Sequence, residues 1–247
     1  MPNESPAASM APFYEGYWAH RVERGDTTAD NRVKLRHEQA AAWFAARLTG
    51  SPAARVLDLG CGDGLLGQVI AGHGHGHRLT GADVAPRALD LCRPYYDATG
   101  VFDLDADETP EDWREAFDAV ACLEVLEHLR RPERAMRCVR EALRPGGVVA
   151  LSYPNLFSWK NRLVFVRGRW PSGYTTYDPV EHLQVFDLPG FKKMVRDAGL
   201  ELTGLQITPD LPAFKPLRRA VFRSRGLWAR LCPALVAMQI NVYARRP

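Results

Sequence analysis

Apolar and polar positions fall into alternating blocks along this chain. Short apolar runs, closed by an acid or a glycine, are each followed by a stretch with helical spacing. Residues 55–59 (RVLDL) read as a buried strand, and a helix begins over 65–70. Residues 78–82 form a second strand that ends at Asp83, and Pro86 stands where the first turn of a helix over 87–92 begins. Strands are predicted at 101–104, 117–123 and 147–153. A helix over 132–143 lies between the last two, with Pro132 near its start and Pro145-Gly146-Gly147 past its end. Residues 188–198 are amphipathic and stop at Gly199, and 201–207 and 237–244 read as final strands. Strands alternating with helices predict an α/β fold with a mostly parallel sheet.

Two segments break the alternation. Residues 13–50 form a helical N-terminal extension, after a lead over 1–12 expected to be disordered. Residues 155–187 form a long insertion carrying Trp159, Arg162, Trp170, Tyr174, Tyr177 and His182. Ligands of open α/β sheets bind beyond the carboxyl ends of the strands. The insertion leaves from that edge, so it is the expected substrate cover. No repeat or linker divides the chain, and 13–247 is read as one domain.

Composition adds little to the 247-residue pattern: 46% hydrophobic and 25% charged residues suit a globular protein. No apolar run approaches a membrane span, and the first residues lack the basic start and apolar middle of a signal peptide. Five scattered cysteines with no CxxC pair suit reduced thiols, and a cytoplasmic location is expected. Beyond Asp210 there are eight basic residues and no acid. Lys215, Arg218, Arg219, Arg223, Arg225 and Arg230 alternate there with Phe214, Leu217, Val221 and Phe222. That is the pattern of a basic helix that packs on the domain or lies on a membrane surface. His73, His75 and His77 alternate with glycine in a loop that could take adventitious metal.

The most informative stretch is Val56-Leu57-Asp58-Leu59-Gly60-Cys61-Gly62-Asp63-Gly64, a strand that opens into a glycine-rich turn before a helix. Glycine lets backbone approach a ligand, and the N–H groups of the helix start favour acceptors. Gly62-Asp63-Gly64-Leu65-Leu66-Gly67 also satisfies the dinucleotide pattern GxGxxG, with Asp83 about 20 residues on. Two features oppose a dinucleotide. Gly60 and Cys61 separate the strand from that pattern, and Asp58 would face a pyrophosphate. An acid there suits a ligand with a cationic amino group.

The segment Asp58-Leu59-Gly60-Cys61-Gly62-Asp63-Gly64 resembles motif I of the class I S-adenosylmethionine-dependent methyltransferases, of the type 11/12 kind. Gly81-Ala82-Asp83-Val84-Ala85-Pro86, Phe117-Asp118-Ala119-Val120 and Leu143-Arg144-Pro145-Gly146-Gly147 resemble the later motifs in the same order. The resemblance implies a Rossmann-like seven-stranded sheet, with strand seven antiparallel and helices on both faces. It implies S-adenosyl-L-methionine as the cofactor. Gly60, Cys61, Gly62 and Gly64 would line its methionine part and Asp58 would sit near its ammonium. Asp83, beside Val84, would accept from both ribose hydroxyls. Asp103, Leu104 and Asp105 would meet the adenine, and Leu123 and Glu124 would lie under the sulfonium. Arg32 and Arg36 could reach its carboxylate, and Tyr14, Tyr17 and Trp18 could lid the pocket.

Methyl transfer from a sulfonium needs a nucleophile held in line and a means of activating it. Glu124, Glu127 and His128 sit at the tip of the fourth strand. If a helical turn begins there, they share a face and could hold a divalent cation, Mg²⁺ or another, that acidifies a hydroxyl. His182 is the candidate fourth ligand. Glu-x-x-Glu-His followed by a distant His is similar to the ubiquinone-biosynthesis O-methyltransferases and to the ribose-methylating small-RNA methyltransferases. The alternative is an acid that caps a helix beside a His that packs or acts as a base.

Ser152-Tyr153-Pro154-Asn155, Trp159, Asn161-Arg162-Leu163 and Gly168-Arg169-Trp170-Pro171 resemble the methionine-biosynthesis W-type proteins, which work beside a homoserine acyltransferase. Glu124 to His128 depart from that group and restore catalytic-looking groups. The expected function is therefore O-methylation of a small-molecule acceptor. A non-catalytic subunit regulating a partner enzyme is the alternative. Ribose methylation of RNA ranks below both, since no nucleic-acid module is present. Neither the acceptor nor the oligomeric state can be read from the residues.

Overall fold

In the computed structural model, the described residues are 9–27, 35–51, 53–74, 76–171, 182–209 and 232–247. Five parallel strands and an antiparallel pair form one sheet in the order β3-β2-β1-β4-β5-β7-β6. The strands are β1 (Arg55–Leu59), β2 (Arg78–Asp83), β3 (Ala98–Val101), β4 (Phe117–Leu123), β5 (Leu143–Pro154), β6 (Glu201–Pro209) and β7 (Ala237–Arg245). Strand β7 runs antiparallel to both neighbours, as expected. The chain order reverses between β1 and β4, which makes their carboxyl ends the place for a ligand.

The sheet is packed on both faces. Leu57, Leu59, Val120, Cys122, Val149 and Leu151 face helices α5 (Pro132–Ala142) and α7 (Leu188–Asp197). Val56, Ala119, Ala121 and Ala150 face the other way, toward α2 (Leu35–Arg47) and α3 (Leu65–Gly72). The period of two along each strand sorts the side chains into these layers, so both faces of the central strands are apolar. In α5, Ala135, Met136, Val139 and Ala142 are buried at helical spacing, and Pro132 occupies the first turn. In α7 the Asp187 carboxylate accepts from the Gly190 N–H at 2.7 Å and starts the helix.

Some boundaries differ from the sequence reading. The third strand, predicted at 101–104, lies at Ala98–Val101. Asp103 causes the difference: its carboxylate accepts from Asp105 N–H, while its own N–H donates to Asp107, and this local turn competes with the ladder. Strand β5 begins at Leu143, paired with Phe117, ahead of the predicted 147. Helix α1 (Ala11–Glu23) starts inside the span expected to be a disordered lead.

The insertion contains α6 (Trp159–Val166), capped by Ser158. Residues 1–8, Arg32, His75, Tyr174, Tyr177, Glu181 and the basic stretch over 210–231 lie outside the described residues. Helix α4 (Pro86–Cys92) joins β2 to β3. Among the described residues no helix is long and apolar enough to cross a membrane.

Candidate active site

A cavity of about 290 Å³ opens at the carboxyl ends of β1, β2 and β4. Gly60, Cys61, Gly62, Asp63 and Leu65 form its floor, with Asp83 and Val84 beside them. Gly60 and Gly62 both have positive φ, at 70° and 54°. A Cβ on Gly60 would stand 2.4 Å from Val125 Cγ2, and one on Gly62 would stand 2.9 Å from the Trp18 ring. Only glycine fits the turn, for backbone shape and for space together.

Asp83 is the organising acid. Its Oδ2 accepts from Gly62 N–H at 3.0 Å and its Oδ1 from Ala85 N–H at 2.9 Å. Burial raises its pKa, and these backbone donors oppose the rise. Asp103, Leu104 and Asp105 line the far wall. Asp103 accepts from Ser9 Oγ at 2.6 Å, and Asp105 accepts from the N–H groups of Arg130 and Arg131, both at 3.0 Å. Asp105 therefore pins the segment before α5 as well as facing the cavity.

Asp58 and Gly64 do not line the cavity. Asp58 shares the orientation of Val56, toward α3. Its Oδ2 accepts from the Tyr96 hydroxyl at 2.5 Å, in place of the expected open approach to an ammonium. Burial raises the Asp58 pKa to about 7, against the lowering effect of Tyr96. Gly64 is the N-cap of α3, with φ 89°.

Helix α1 covers the cavity. Met10, Tyr14, Tyr17, Trp18 and Arg21 all reach it, at the spacing of a single helix face. Ser9 on Asp103 and Glu15 on the Arg87 N–H fasten the helix. Among the described residues the insertion contributes nothing to the cavity wall. From α2, Arg36 and His37 reach the same space. The Nε atoms of Arg21 and Arg36 are buried with no hydrogen-bond partner. Phe102 also lines the cavity, and it, Arg21 and His37 were missed in the sequence. The stripe at 10, 14, 17, 18 and 21 was the signal that could have found Arg21.

The fourth-strand tip is sharply bent. Leu123, Glu124, Val125, His128 and Leu129 line the cavity. Glu124 has φ 57°, a left-handed conformation unusual for a non-glycine residue, and such strain collects at functional sites. Its carboxylate accepts from Ser152 Oγ at 3.0 Å and Gln239 Nε2 at 2.8 Å. The turn after it is a single 3₁₀ turn, Leu126–His128, so the expected helical face carrying Glu124 does not form.

Instead Glu127, His128 and His182 come together, with candidate ligand atoms all within 4.8 Å of one another. The Glu127 carbonyl accepts from the N–H groups of Leu183 (2.7 Å) and Gln184 (2.9 Å), which places His182 beside His128. The two imidazole centroids are 4.9 Å apart, and the Tyr14 ring meets His128 edge-on. Glu127 is 1% exposed, and neither carboxylate oxygen has a hydrogen-bond partner. Burial, and then Glu124, push its pKa well above the ordinary carboxylate range.

Over residues 31–205 the sequence matches the family described as "Methyltransferase domain". The ubiquinone biosynthesis O-methyltransferase of Thiobacillus denitrificans is 30% identical over 219 residues, 82% of this chain and 88% of that one. The chain belongs to the methyltransferase domain family. It is an S-adenosylmethionine-dependent methyltransferase. The Dechloromonas aromatica enzyme of the same description is 32% identical over 63% of this chain and 69% of its own length. For Xanthomonas campestris the match is 36%, over 45% of this chain and about half (48%) of the relative.

Two solved structures share the fold of the methyltransferase. A putative methyltransferase of Haloferax volcanii, complexed with the Trm112 methyltransferase activator, superposes with a TM-score of 0.63 at 17% identity. That alignment covers 98% of this chain and 99% of the other. A SAM-dependent methyltransferase of Archaeoglobus fulgidus gives 0.62 at 14% identity, over 93% and 99%. Identities this low speak for the fold alone.

The cavity suits the methyl donor chemically. It combines a glycine floor, a buried acid and two guanidinium groups with unpaired Nε atoms, as a zwitterionic nucleoside asks.

Proposed function

We propose that this methyltransferase methylates a hydroxyl oxygen of a small molecule, aided by a divalent cation at Glu127, His128 and His182. The observation that carries the proposal is the Glu127 carboxylate: buried, without a hydrogen bond, and beside two imidazoles. His128 Nε2 stands 3.8 Å from Glu127 Oε1, too far for a hydrogen bond. A buried acid left without hydrogen bonds is costly, and a cation would complete it. Mixed carboxylate and imidazole ligands suit a transition metal better than Mg²⁺. Such an ion would supply Lewis acidity that lowers the pKa of an acceptor hydroxyl.

The chain's own residues position the reactants. Asp83 would accept from the ribose hydroxyls, and Asp103, Leu104 and Asp105 would border the adenine. Gly60 to Gly62 would let backbone meet the methionine part, with Arg21 and Arg36 directed at its carboxylate. Leu123 and Glu124 would lie beneath the sulfonium, and Ser152 and Gln239 hold Glu124 there. Asp58 acts from behind the turn. His128, on the cavity wall, would face the acceptor.

The ubiquinone-biosynthesis relatives support an oxygen acceptor, since they are O-methyltransferases. The test is a metabolite-extract screen for release of S-adenosylhomocysteine, followed by identification of the methylated product. The expected result is turnover that EDTA abolishes and added divalent metal restores. Turnover that persists in EDTA would leave His128 as a metal-free proton acceptor and remove the cation. Methylation at nitrogen or carbon would remove the hydroxyl acceptor.

A further inference from the structure

Tyr96 belongs to none of the sequence patterns described above, yet its side chain joins three of them. The hydroxyl donates to Asp58 Oδ2 at the end of β1, at 2.5 Å. The same oxygen accepts from the Gly67 N–H, at 3.1 Å. Gly67 is the third residue of α3, where backbone N–H groups have no partner inside the helix. A side chain at the N-cap ordinarily answers one of them. Here the N-cap is Gly64, which has no side chain to offer. Tyr96 supplies that cap from another part of the chain.

The ring needs space to reach this position, and two glycines leave it. A Cβ on Gly67 would lie 2.7 Å from the Tyr96 ring, and one on Gly81 would lie 3.1 Å from it. The last glycine of the GxGxxG pattern is thereby explained without a pyrophosphate. It makes room for a phenol.

We propose that Tyr96 is a positioning residue for cofactor binding, whose hydroxyl clasps the Asp58 carboxyl to the first turn of α3 and so fixes the turn from Gly60 to Asp63. The clasped ends flank that turn on both sides, and the turn is the cavity floor. The proposal rests on the methyltransferase identity and not on the acceptor or the cation.

Charge gives the clasp a signature that mere packing lacks. Asp58 faces Tyr96 before β3, Asp83 on β2 and Cys61 in the turn; Cys122 on β4 also feels its charge. None of these is a cation. The Asp58 pKa is raised to about 7 by burial, with Tyr96 as the lowering partner. Around neutral pH the Asp58 anion therefore becomes populated as pH rises. An anion behind the turn favours the cationic methionine end of the cofactor, so cofactor affinity should rise through the same range. Loss of the Tyr96 hydroxyl removes the group that favours the anion and moves the midpoint upward.

The experiment is calorimetric titration of the full chain with S-adenosyl-L-methionine from pH 6 to pH 9, for wild type, Tyr96→Phe and Asp58→Asn. Tyr96→Phe should weaken binding about tenfold at neutral pH, since it leaves two buried polar groups unanswered. Its affinity midpoint should also lie at higher pH than that of wild type. Asp58→Asn keeps an acceptor for the hydroxyl and should lose the Asp58 part of the pH dependence, leaving only that of the ligand's own amino group. A folded Tyr96→Phe with the wild-type affinity and pH profile would overturn the proposal. If Tyr96→Phe does not fold, Asp58→Asn decides: a profile shallower than that of wild type supports the clasp, and a wild-type profile overturns it.

Discussion

The two halves of the cavity are built on opposite principles. On the cofactor side the acids have partners: Asp83 holds Gly62 and Ala85, Asp58 holds Tyr96, and Asp105 holds the start of α5. On the β4 side Glu127 is buried with neither oxygen hydrogen-bonded, its nearest charged neighbour the His128 imidazole at 3.8 Å, and Glu124 before it is held in a left-handed conformation. A satisfied network is a finished receptor, stable in the absence of its ligand. An unsatisfied carboxylate beside two imidazoles is an incomplete one. On the proposed reading, the donor side is complete in the fold, while the acceptor side would be completed by a cation.

The contrast can be broken most severely at Glu127. Glu127→Gln should reduce turnover by about a thousandfold, the middle of the range for a group that activates a nucleophile. Its affinity for S-adenosyl-L-methionine should stay within about twofold, since the residue does not line the cavity. Equal losses in both would merge the two halves into one network.

Asp83→Ala acts on the other half. It removes the proposed acceptor for the ribose hydroxyls and also frees the Gly62 and Ala85 N–H groups. The expected loss in cofactor affinity is about 100-fold, from two bonds to a charged group. Calorimetry would measure it, and cation binding should be unchanged. Gly60→Ala should follow with a smaller effect. The added methyl meets Val125 in a positive-φ turn, and about 1–2 kcal/mol of strain should lower the unfolding midpoint by a few degrees.

The smallest expected effect is in stability against pH. The Asp58 pKa is raised in the folded state, so its protonated form favours folding, and that contribution is lost as pH rises through about 7. Asp58→Asn removes the ionisation. The unfolding midpoint of wild type, relative to Asp58→Asn, should therefore fall between pH 6 and pH 8. A constant difference would show that Asp58 does not titrate there.

The strands β1, β2 and β4 were legible in the sequence because each is short, largely apolar and closed by a glycine or an acid. Asp83 and the turn from Gly60 to Gly62 were legible for the same reason: chemistry and local backbone shape coincide there. What was not legible depends on distant residues. The strongest strand formers of 98–104 are Val101 and Phe102, yet pairing runs from Ala98 to Val101 and stops before the Asp103 turn. Asp58 looked like a ligand group because its partner is 38 residues away. Glu124 and Glu127 looked equivalent, yet the backbone at Glu124 turns one carboxylate to β5 and β7 and leaves the other in the cluster. Among the described residues α1 supplies the covering face, and residues 172–181 of the insertion expected to cover the substrate lie outside them.

The central claim is that the cavity joins a complete donor site to an acceptor site completed by a cation. The most direct measurement is calorimetric titration of purified, EDTA-treated protein with Mn²⁺, Zn²⁺ and Mg²⁺, in wild type and Glu127→Gln. The account predicts that at least one of these ions binds wild type in equimolar ratio, and that Glu127→Gln loses this binding while retaining affinity for S-adenosyl-L-methionine. Absence of stoichiometric binding in wild type, or equal binding by Glu127→Gln, would contradict it.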